Sequence, residues 1–162
     1  VDTGLHTQTG GRLKRLQRWL GEDETFMFTY GDGVADLRIA DLLAFHRAHG
    51  RLATATTVRS PARFGRIGFE GDRIVEFFEK PEAGEGWING GFFILRQDIF
   101  SYMEPGDELV EAPFQRLIKD GKLLGRKYQG FWASMDTFKD KKQFDDLYES
   151  GQRPWQVWQR ES

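Results

Sequence analysis

Apolar and β-favouring residues recur along the chain in short runs that end at turn residues, which is the pattern of buried strands. The clearest run covers residues 25–30 and stops at Gly31-Asp32-Gly33. Further strands are predicted over residues 52–58, 87–95 and 123–128, and a β-hairpin is predicted from residues 63–70 and 73–79, which flank Gly71-Asp72.

Apolar residues at helical spacing lie between these strands. One helix is predicted through residues 13–20, with Thr9 as a candidate N-cap and Gly21 as its stop. Three more are predicted: from an N-cap near Asp36 to His49, over residues 112–119, and from an N-cap at Thr137 to Tyr148. The alternation favours one α/β domain with a mixed, mostly parallel sheet flanked by helices and an inserted hairpin.

Composition narrows the function classes only a little. The chain has 162 residues, enough for one domain with a real core, and a formal charge of -2. This charge gives no reason to expect nucleic acid or an anionic membrane as a partner. Cysteine is absent, which rules out thiolate metal sites. With no bilayer-length apolar run and no signal-peptide pattern, a cytoplasmic enzyme is expected.

Asp32 follows the strand at residues 25–30 and lies between two glycines that let other groups approach the backbone. In open α/β sheets, ligands collect at the carboxyl ends of the strands. A carboxylate in that position suits a hard cation such as Mg²⁺. The alternative is a simple turn closed by an Asx-type hydrogen bond.

Two other charged positions occur where the backbone is constrained. Lys80 precedes Pro81, whose ring fixes the local direction of the chain and so aims the lysine. Asp136 lies just before the helix that starts after Thr137, and a helix N-terminus favours the charged form of a carboxylate.

Several polar residues allow two interpretations. The glycine-rich turn before Arg12 could bind an anion at a helix start, or it could simply belong to a capped helix. The Asn89 amide could meet a sugar hydroxyl, or the residue could serve the turn before two glycines. His46 and His49 are interpreted as packing or surface residues, because no third metal ligand is nearby in sequence.

Taken together and in order, the motifs closely resemble the glucose-1-phosphate cytidylyltransferases, a branch of the sugar-phosphate nucleotidyltransferases. The resemblance covers essentially the whole chain. The segments that carry it are Thr9-Gly10-Gly11-Arg12-Leu13-Lys14-Arg15, Tyr30-Gly31-Asp32-Gly33-Val34, Arg63-Phe64-Gly65, Glu79-Lys80-Pro81, Trp87-Ile88-Asn89-Gly90-Gly91-Phe92-Phe93, Gly130-Phe131-Trp132 with Met135-Asp136-Thr137, and Pro154-Trp155-Gln156-Val157-Trp158.

The resemblance implies a Rossmann-like nucleotide-diphospho-sugar transferase fold and the reaction of CTP with glucose 1-phosphate to give CDP-glucose and pyrophosphate, with Mg²⁺. It implies that Asp32 and Asp136 hold the metal and that Lys80 holds the sugar phosphate, these three being the catalytic residues. The substrate-binding residues that it implies are Thr7, Gly11, Arg12, Tyr30, Gly31 and Gly33, and on the sugar side Glu79, Asn89 and Gly90. A homo-oligomer is also expected.

One family feature is missing from the sequence. The family's glycine-rich Gly-Gly-x-Gly-Thr-Arg loop and its downstream lysine, which grip the triphosphate, have no match here. The chain begins at Val1 with what resembles the end of a strand. Residues 1–162 are therefore expected to be the C-terminal portion of a single nucleotidyltransferase domain, lacking its N-terminal part. A chain of this extent is expected not to turn over alone.

Other functions remain open at this stage. Enzymes that transfer uridylyl, thymidylyl or guanylyl groups would keep Asp32, Lys80 and Asp136. A sugar-nucleotide-dependent glycosyltransferase usually has an Asp-x-Asp pair, and the spacing of Asp32 and Asp36 is too wide for one. A non-catalytic module that binds sugar nucleotides is the third alternative.

Overall fold

The computed structural model describes residues 1–59, 66–70, 73–78 and 86–159. Its helices are α1 (Thr9–Leu16), α2 (Ile39–His49), α3 (Ala112–Lys119) and α4 (Phe138–Glu149). Its strands are β1 (Thr25–Thr29), β2 (Gly33–Ala35), β3 (Ala53–Val58), β4 (Arg66–Glu70), β5 (Arg73–Phe78), β6 (Ile88–Arg96), β7 (Leu123–Tyr128) and β8 (Trp132–Ser134). Short 3-10 turns cover Gln17–Trp19, Gln97–Tyr102 and Val157–Gln159.

Four strands form the central sheet, in the order β1-β6-β3-β7. Strand β6 pairs antiparallel with both β1 and β3, whereas β3 and β7 are parallel. Three strands therefore run in one direction and the reversed β6 lies among them. This arrangement confirms the predicted mixed α/β sheet flanked by helices.

Alternating residues of β6 divide the core between the two faces of the sheet. Phe93 and Leu95 are buried with apolar residues of α1 and α3 on one face, which carries the larger cluster. Ile94 points the other way and is buried with Leu42 of α2 and Leu37. The helices thus cover both faces, as the sequence pattern predicts.

The hairpin is confirmed where the structure describes it, because β4 and β5 pair antiparallel. Residues 63–65, 71–72 and 79 of the predicted hairpin lie outside the described residues. The pair β2 and β8 forms a separate two-stranded ribbon that the sequence did not predict. No helix in the described ranges has the length and apolar character needed to cross a membrane.

Two predicted helix starts are wrong. Helix α1 begins at Thr9 itself, with Gln8 in the N-cap position, and it changes to a 3-10 turn after Leu16. The N-cap of α2 is Arg38, two residues later than the predicted N-cap at Asp36, and the helix begins at Ile39. Asp36 is not a cap, because its carboxylate accepts a hydrogen bond from the Tyr128 hydroxyl and its backbone N–H donates to Phe131.

The C-terminal side of α2 is joined to β3 by a chain of polar contacts. The Arg51 backbone N–H donates to Nδ1 of His49, so neutral His49 carries its proton on Nε2 and donates it to Thr54 Oγ1 at 2.7 Å. The Thr54 hydroxyl is then free to donate to Nδ1 of buried His46, 2.8 Å away. Both histidines, interpreted from the sequence as helix-surface or packing residues, contact Thr54, and His46 is buried.

Candidate functional site

The parallel strands β1, β3 and β7 end at the same side of the sheet, which we call the upper edge. Asp32 lies there, just beyond β1 and directly before β2. The Asp32 carbonyl accepts a hydrogen bond of 2.9 Å from the backbone N–H of Met135, which extends the pairing of Gly33 with Ser134. In the ribbon of β2 and β8, Met135 therefore lies opposite Asp32, and Asp136 follows Met135 in the chain.

Asp136 is held on a helix start. The Ser134 hydroxyl donates to its carboxylate at 2.8 Å, and the Asp136 backbone N–H donates to the carboxylate of Asp140 at 3.2 Å. Thr137 caps α4, since its hydroxyl accepts from the Asp140 N–H while Asp140 accepts from the Thr137 N–H. The predicted N-cap is confirmed. Both Asp32 and Asp136, which we call the acid pair, are exposed to solvent.

The start of β6 is packed tightly against the ribbon. Trp132 of β8 donates its indole N–H to the carbonyl of Gly90 at 2.8 Å, which joins β6 to the ribbon. A Cβ on Gly90 would lie 3.1 Å from the Thr56 carbonyl oxygen of β3, so this strand passes close to its neighbour. Gly91 has φ of +76° and also faces the Tyr30 ring, and only glycine meets both conditions readily.

Tyr30 and Asn89 meet at the same place. The Tyr30 N–H donates to the Gly91 carbonyl, and its ring packs against Phe28 and Phe93. Burial raises the pKa of Tyr30, partly offset by a hydrogen bond with the Asn89 side chain, while the charges of Glu108 and Asp32 raise it further. The Asn89 oxygen accepts from the Gly91 N–H at 2.9 Å, as in an Asx-type turn.

The residues before and within α1 form a second region. Thr7 and Gly11 line a cavity of about 470 Å³ together with Lys14, Arg15 and the loop at residues 104–107. The Arg12 guanidinium is bound within the N-terminal segment, to the Thr3 hydroxyl at 2.8 Å and to the Leu5 carbonyl at 3.0 Å. In this structure Arg12 therefore holds the segment that precedes α1.

Glu108 is a residue that the sequence analysis missed. Its carboxylate accepts a hydrogen bond of 2.9 Å from the Thr9 N–H at the start of α1. The Glu108 carboxylate, from a distant loop, thus occupies the start of α1, where the sequence analysis considered an anion-binding site. The charge of Glu108 also helps to raise the pKa of Tyr30. Nothing in the local sequence marks Glu108, because its partner is far away in the chain.

The structure brings together Asp32, Asp136, Tyr30, Gly31, Gly33, Asn89 and Gly90 around the upper edge, and it places Thr7, Gly11 and Arg12 at α1. Glu79 and Lys80 lie outside the described residues. No three His, Cys, Asp or Glu side chains in the described ranges are grouped so as to hold a metal ion.

Residues 7–143 match the nucleotidyl transferase family, and the chain belongs to this family. Over 160 residues it is 42% identical to the glucose-1-phosphate cytidylyltransferase of Salmonella typhi, a match that covers 98% of this chain and 62% of that protein. It is 32% identical to the mannose-1-phosphate guanylyltransferase catalytic subunit beta of Dictyostelium discoideum over 138 residues, which cover 82% of this chain and 38% of the relative.

The fold is also found in solved structures. The structure of apo UDP-glucose pyrophosphorylase superposes with a TM-score of 0.67 at 13% identity, covering 94% of this chain and 64% of that one. This similarity concerns the fold, which is the predicted nucleotide-diphospho-sugar transferase type. The chain spans about 62% of the length of the cytidylyltransferase that it matches.

Proposed function

We propose that the full-length gene product carrying this chain transfers a cytidylyl group from CTP to glucose 1-phosphate, giving CDP-glucose and pyrophosphate. In this proposal residues 1–162 are the C-terminal portion of one nucleotidyltransferase domain. The observation that supports it is the hydrogen bond from the Met135 N–H to the Asp32 carbonyl, which brings the backbone of Asp32 next to the residue that precedes Asp136. The identity to a cytidylyltransferase supports the choice of base and sugar.

The acid pair fits Mg²⁺ in its chemistry. Mg²⁺ is usually bound in such enzymes by one or two carboxylates, and it completes its octahedral shell with water and substrate phosphates. Two exposed carboxylates with no third acidic or histidine ligand among the described residues match this preference. When bound, Mg²⁺ would offset the negative charge that develops as pyrophosphate leaves.

The other residues of the site position the substrates in this proposal. The sugar phosphate oxygen attacks the α-phosphorus of the nucleotide in line with the departing pyrophosphate, a step that depends on alignment more than on covalent help. The Asn89 amide, oriented by the Gly91 N–H and Tyr30, would face the sugar hydroxyls beside Gly90. Thr7, Gly11, Arg12, Tyr30, Gly31 and Gly33 are proposed for the nucleotide side, and Glu79 and Lys80 for the sugar and its phosphate.

Substitution of the acid pair tests the catalytic role. We expect Asp32→Asn and Asp136→Asn in the full-length protein to lower kcat for CDP-glucose formation by roughly a hundredfold or more, as when a transition-state charge loses its partner. Asp145→Asn is the matched control, because Asp145 is an exposed carboxylate on α4 that pairs with Lys141. Wild-type turnover by either acid-pair variant would contradict the proposed metal site.

The choice of substrate needs its own measurement. Calorimetric titration of the full-length protein with CTP, UTP, dTTP and GTP should show the highest affinity for CTP. Turnover is then measured with glucose 1-phosphate and with mannose 1-phosphate. Tighter binding of GTP would favour a guanylyltransferase, in line with the second relative. Binding without turnover of any nucleotide would favour a non-catalytic sugar-nucleotide module.

We also propose that the chain of residues 1–162 forms a homo-oligomer. Strands β1 and β7 are the outer strands of the described four-stranded sheet, and outer strands offer backbone groups for pairing with another chain. Light scattering coupled to size exclusion should give a mass that is a multiple of the monomer mass. A monomer mass at micromolar concentration would contradict this proposal.

A further inference from the structure

The ribbon of β2 and β8 has one backbone hydrogen bond beyond each end of its three residue pairs. At one end the Met135 N–H donates to the Asp32 carbonyl at 2.9 Å, and at the other the Asp36 N–H donates to the Phe131 carbonyl at 3.1 Å. The Asp36 side chain adds a second link at its end, because its carboxylate accepts a hydrogen bond from the Tyr128 hydroxyl. We call this side-chain hydrogen bond the Asp36–Tyr128 bond.

Tyr128 connects this end of the ribbon to the core of the molecule. It is the last residue of β7, and its ring packs against the buried cluster of Leu37, Leu42 and Ile94. Asp36 directly precedes Leu37 in the chain, and both Asp36 and Tyr128 are half-buried. The Asp36–Tyr128 bond therefore joins the ribbon to the face of the sheet that α2 covers.

The motif Gly130-Phe131-Trp132, to which the proposed function assigns no role, contributes to the same anchor. A Cβ built on Gly130 would overlap both the Tyr128 hydroxyl oxygen and a carboxylate oxygen of Asp36. The bond thus passes directly over the Gly130 backbone, and any side chain at this position would push the two groups aside. Trp132 adds a further link, since its indole N–H donates to the carbonyl of Gly90.

The anchor lies close enough to the acid pair to affect it. A strand of three residues spans roughly 10 Å, and this short ribbon separates the Asp36–Tyr128 bond from the contact of Asp32 with Met135. The ribbon is a two-stranded sheet, and an isolated strand pair is marginally stable without packing. Loss of the anchor at one end is therefore expected to loosen the pairing at the other, directly before Asp136.

We propose that Asp36 and Tyr128 are positioning residues for the nucleotidyl transfer, which act by fixing the ribbon and with it the backbone of Asp32 and Met135. Their effect on the reaction rests on the proposed function, whereas their effect on the ribbon does not. Neither residue contacts the reacting atoms in this proposal. A misplacement of about 1 Å can lower a rate by roughly a hundredfold, so a hydrogen bond away from the substrates can control kcat.

The effect on the ribbon is measured by amide hydrogen exchange of the full-length protein, followed by NMR. Tyr128→Phe removes the hydroxyl and keeps the ring that packs in the core. We expect the Met135 N–H to exchange roughly tenfold faster in this variant, the change that corresponds to losing one hydrogen bond to a charged group. Unchanged exchange of the amides in α3 will show that the variant is folded.

Tyr102→Phe is the matched control for both measurements. The Tyr102 hydroxyl also donates to an aspartate, Asp120, at 2.8 Å, but Tyr102 packs with the larger cluster on the opposite face of the sheet. This variant therefore loses the same kind of bond without touching the ribbon. We expect wild-type exchange of the Met135 N–H and wild-type kcat.

The effect on the reaction is measured as CDP-glucose formation by the full-length variants. Tyr128→Phe should lower kcat by roughly tenfold and leave KM for both substrates nearly unchanged, because alignment is lost rather than ground-state binding. Gly130→Ala should act in the same way, since it displaces the bond and alters neither partner. Asp36→Asn keeps an acceptor oxygen for the Tyr128 hydroxyl and should retain most of the activity that Asp36→Ala loses.

Each outcome decides one part of the proposal. Wild-type exchange of the Met135 N–H in both Tyr128→Phe and Gly130→Ala overturns the effect on the ribbon. Faster exchange with wild-type kcat overturns the positioning role, as does a rise in KM in place of a fall in kcat or an equal loss in Asp36→Asn and Asp36→Ala. A wild-type protein without turnover would overturn the proposed function and the effect on the reaction, while the exchange result would still decide the effect on the ribbon.

Discussion

Close packing, rather than helix propensity, explains why residue 10 of α1 is a glycine. A Cβ built on this residue would lie 2.3 Å from the carbonyl oxygen of Asp107 and 3.0 Å from the Leu109 nitrogen. The neighbouring atoms belong to the backbone of a loop that also supplies Glu108 to the helix start, so they cannot simply rotate away. Helix α1 approaches this loop closely because it has no side chain at position 10.

We therefore expect Gly10→Ala to destabilise the protein. In an exposed helix the change to alanine would add about 1 kcal/mol of stability, whereas forced overpacking typically costs about 1–3 kcal/mol and more for a backbone clash. The free energy of unfolding in urea should fall by about 2 kcal/mol. Gly31→Ala is the control, because a Cβ there meets nothing within 4 Å. A Gly10→Ala protein as stable as its parent would contradict this contact.

Helix caps were predicted correctly where the hydrogen-bond partner is close in the sequence, and incorrectly where the partner is distant. The cap at Thr137 was predictable because its partner Asp140 is three residues away, within the same turn. The start of α1 was not, because its N–H group is bound by Glu108 from another part of the chain. Asp36 looked like a cap for α2 but pairs with Tyr128 across the sheet. Sequence patterns reveal local partners and miss those supplied by tertiary structure.

At the scale of elements, α2 and β3 are coupled through the chain of hydrogen bonds from Arg51 through His49 and Thr54 to His46. The Arg51 N–H can donate to Nδ1 of His49 only while that nitrogen is unprotonated, so this chain of bonds is sensitive to the charge of His49. Burial lowers the pKa of His46, as do the positive charges of His49, Arg96 and Arg47. Burial and the charge of Arg51 lower the pKa of His49, against a smaller opposing effect of its backbone hydrogen bond.

Stability should consequently depend on pH between about 5 and 7. The unfolded imidazoles titrate near pH 6.5, above both folded pKa values, so the unfolded state binds more protons in this range. The free energy of unfolding should rise with pH up to about 7 and then level off, and it should decline as the pH is lowered through the folded pKa values. Urea denaturation at intervals between pH 5 and 8 measures this slope.

Two variants identify the source of the slope. His46→Gln should reduce it, whatever its effect on absolute stability, because one of the two proton acceptors is removed. His6→Gln is the control, since His6 is an exposed residue of the loop before α1. An unaltered slope in His46→Gln would show that the histidine contacts with Thr54 do not control the pH dependence.

Elements were predicted well where the sequence carries a long pattern. The predicted limits of β7 and α3 agree with the structure, and Pro113 marks the start of α3. Strands β2 and β8 have three residues each, too few to show any alternation, and they were missed. Yet this ribbon is what brings Asp32 beside Met135. Asp32 and Asp136 were singled out from the sequence, but the ribbon that brings the stretch of backbone before Asp136 close to Asp32 was not.

Over the whole molecule, the C-terminal segment secures the loop that leads to Asp136. Trp155 packs against Phe131 at the start of that loop, with ring centroids 6.0 Å apart, and against Phe144 of α4 at 5.6 Å. The half-buried Trp155 thus bridges the two elements on either side of β8. Trp158, three residues further on, remains 64% exposed.

Trp155→Ala should lower the free energy of unfolding by about 1–3 kcal/mol, less than the loss for a fully buried aromatic residue. Trp158→Ala, the matched control in the same segment, should change stability by less than about 0.5 kcal/mol. Chemical denaturation monitored by circular dichroism gives both values. Equal losses in the two variants would mean that the contacts of Trp155 with Phe131 and Phe144 contribute little.

The ribbon of β2 and β8 also bears on how the molecule acquires its shape. It joins Gly33 to Ser134, which are far apart in the sequence. The hairpin of β4 and β5, in contrast, joins two strands that follow each other in the sequence. Contacts between distant segments carry a high loop-closure cost and form slowly relative to local ones. We therefore expect the contact between Asp32 and Met135 to form after the helices when the protein is diluted from denaturant, so that this ribbon reports a late stage of folding.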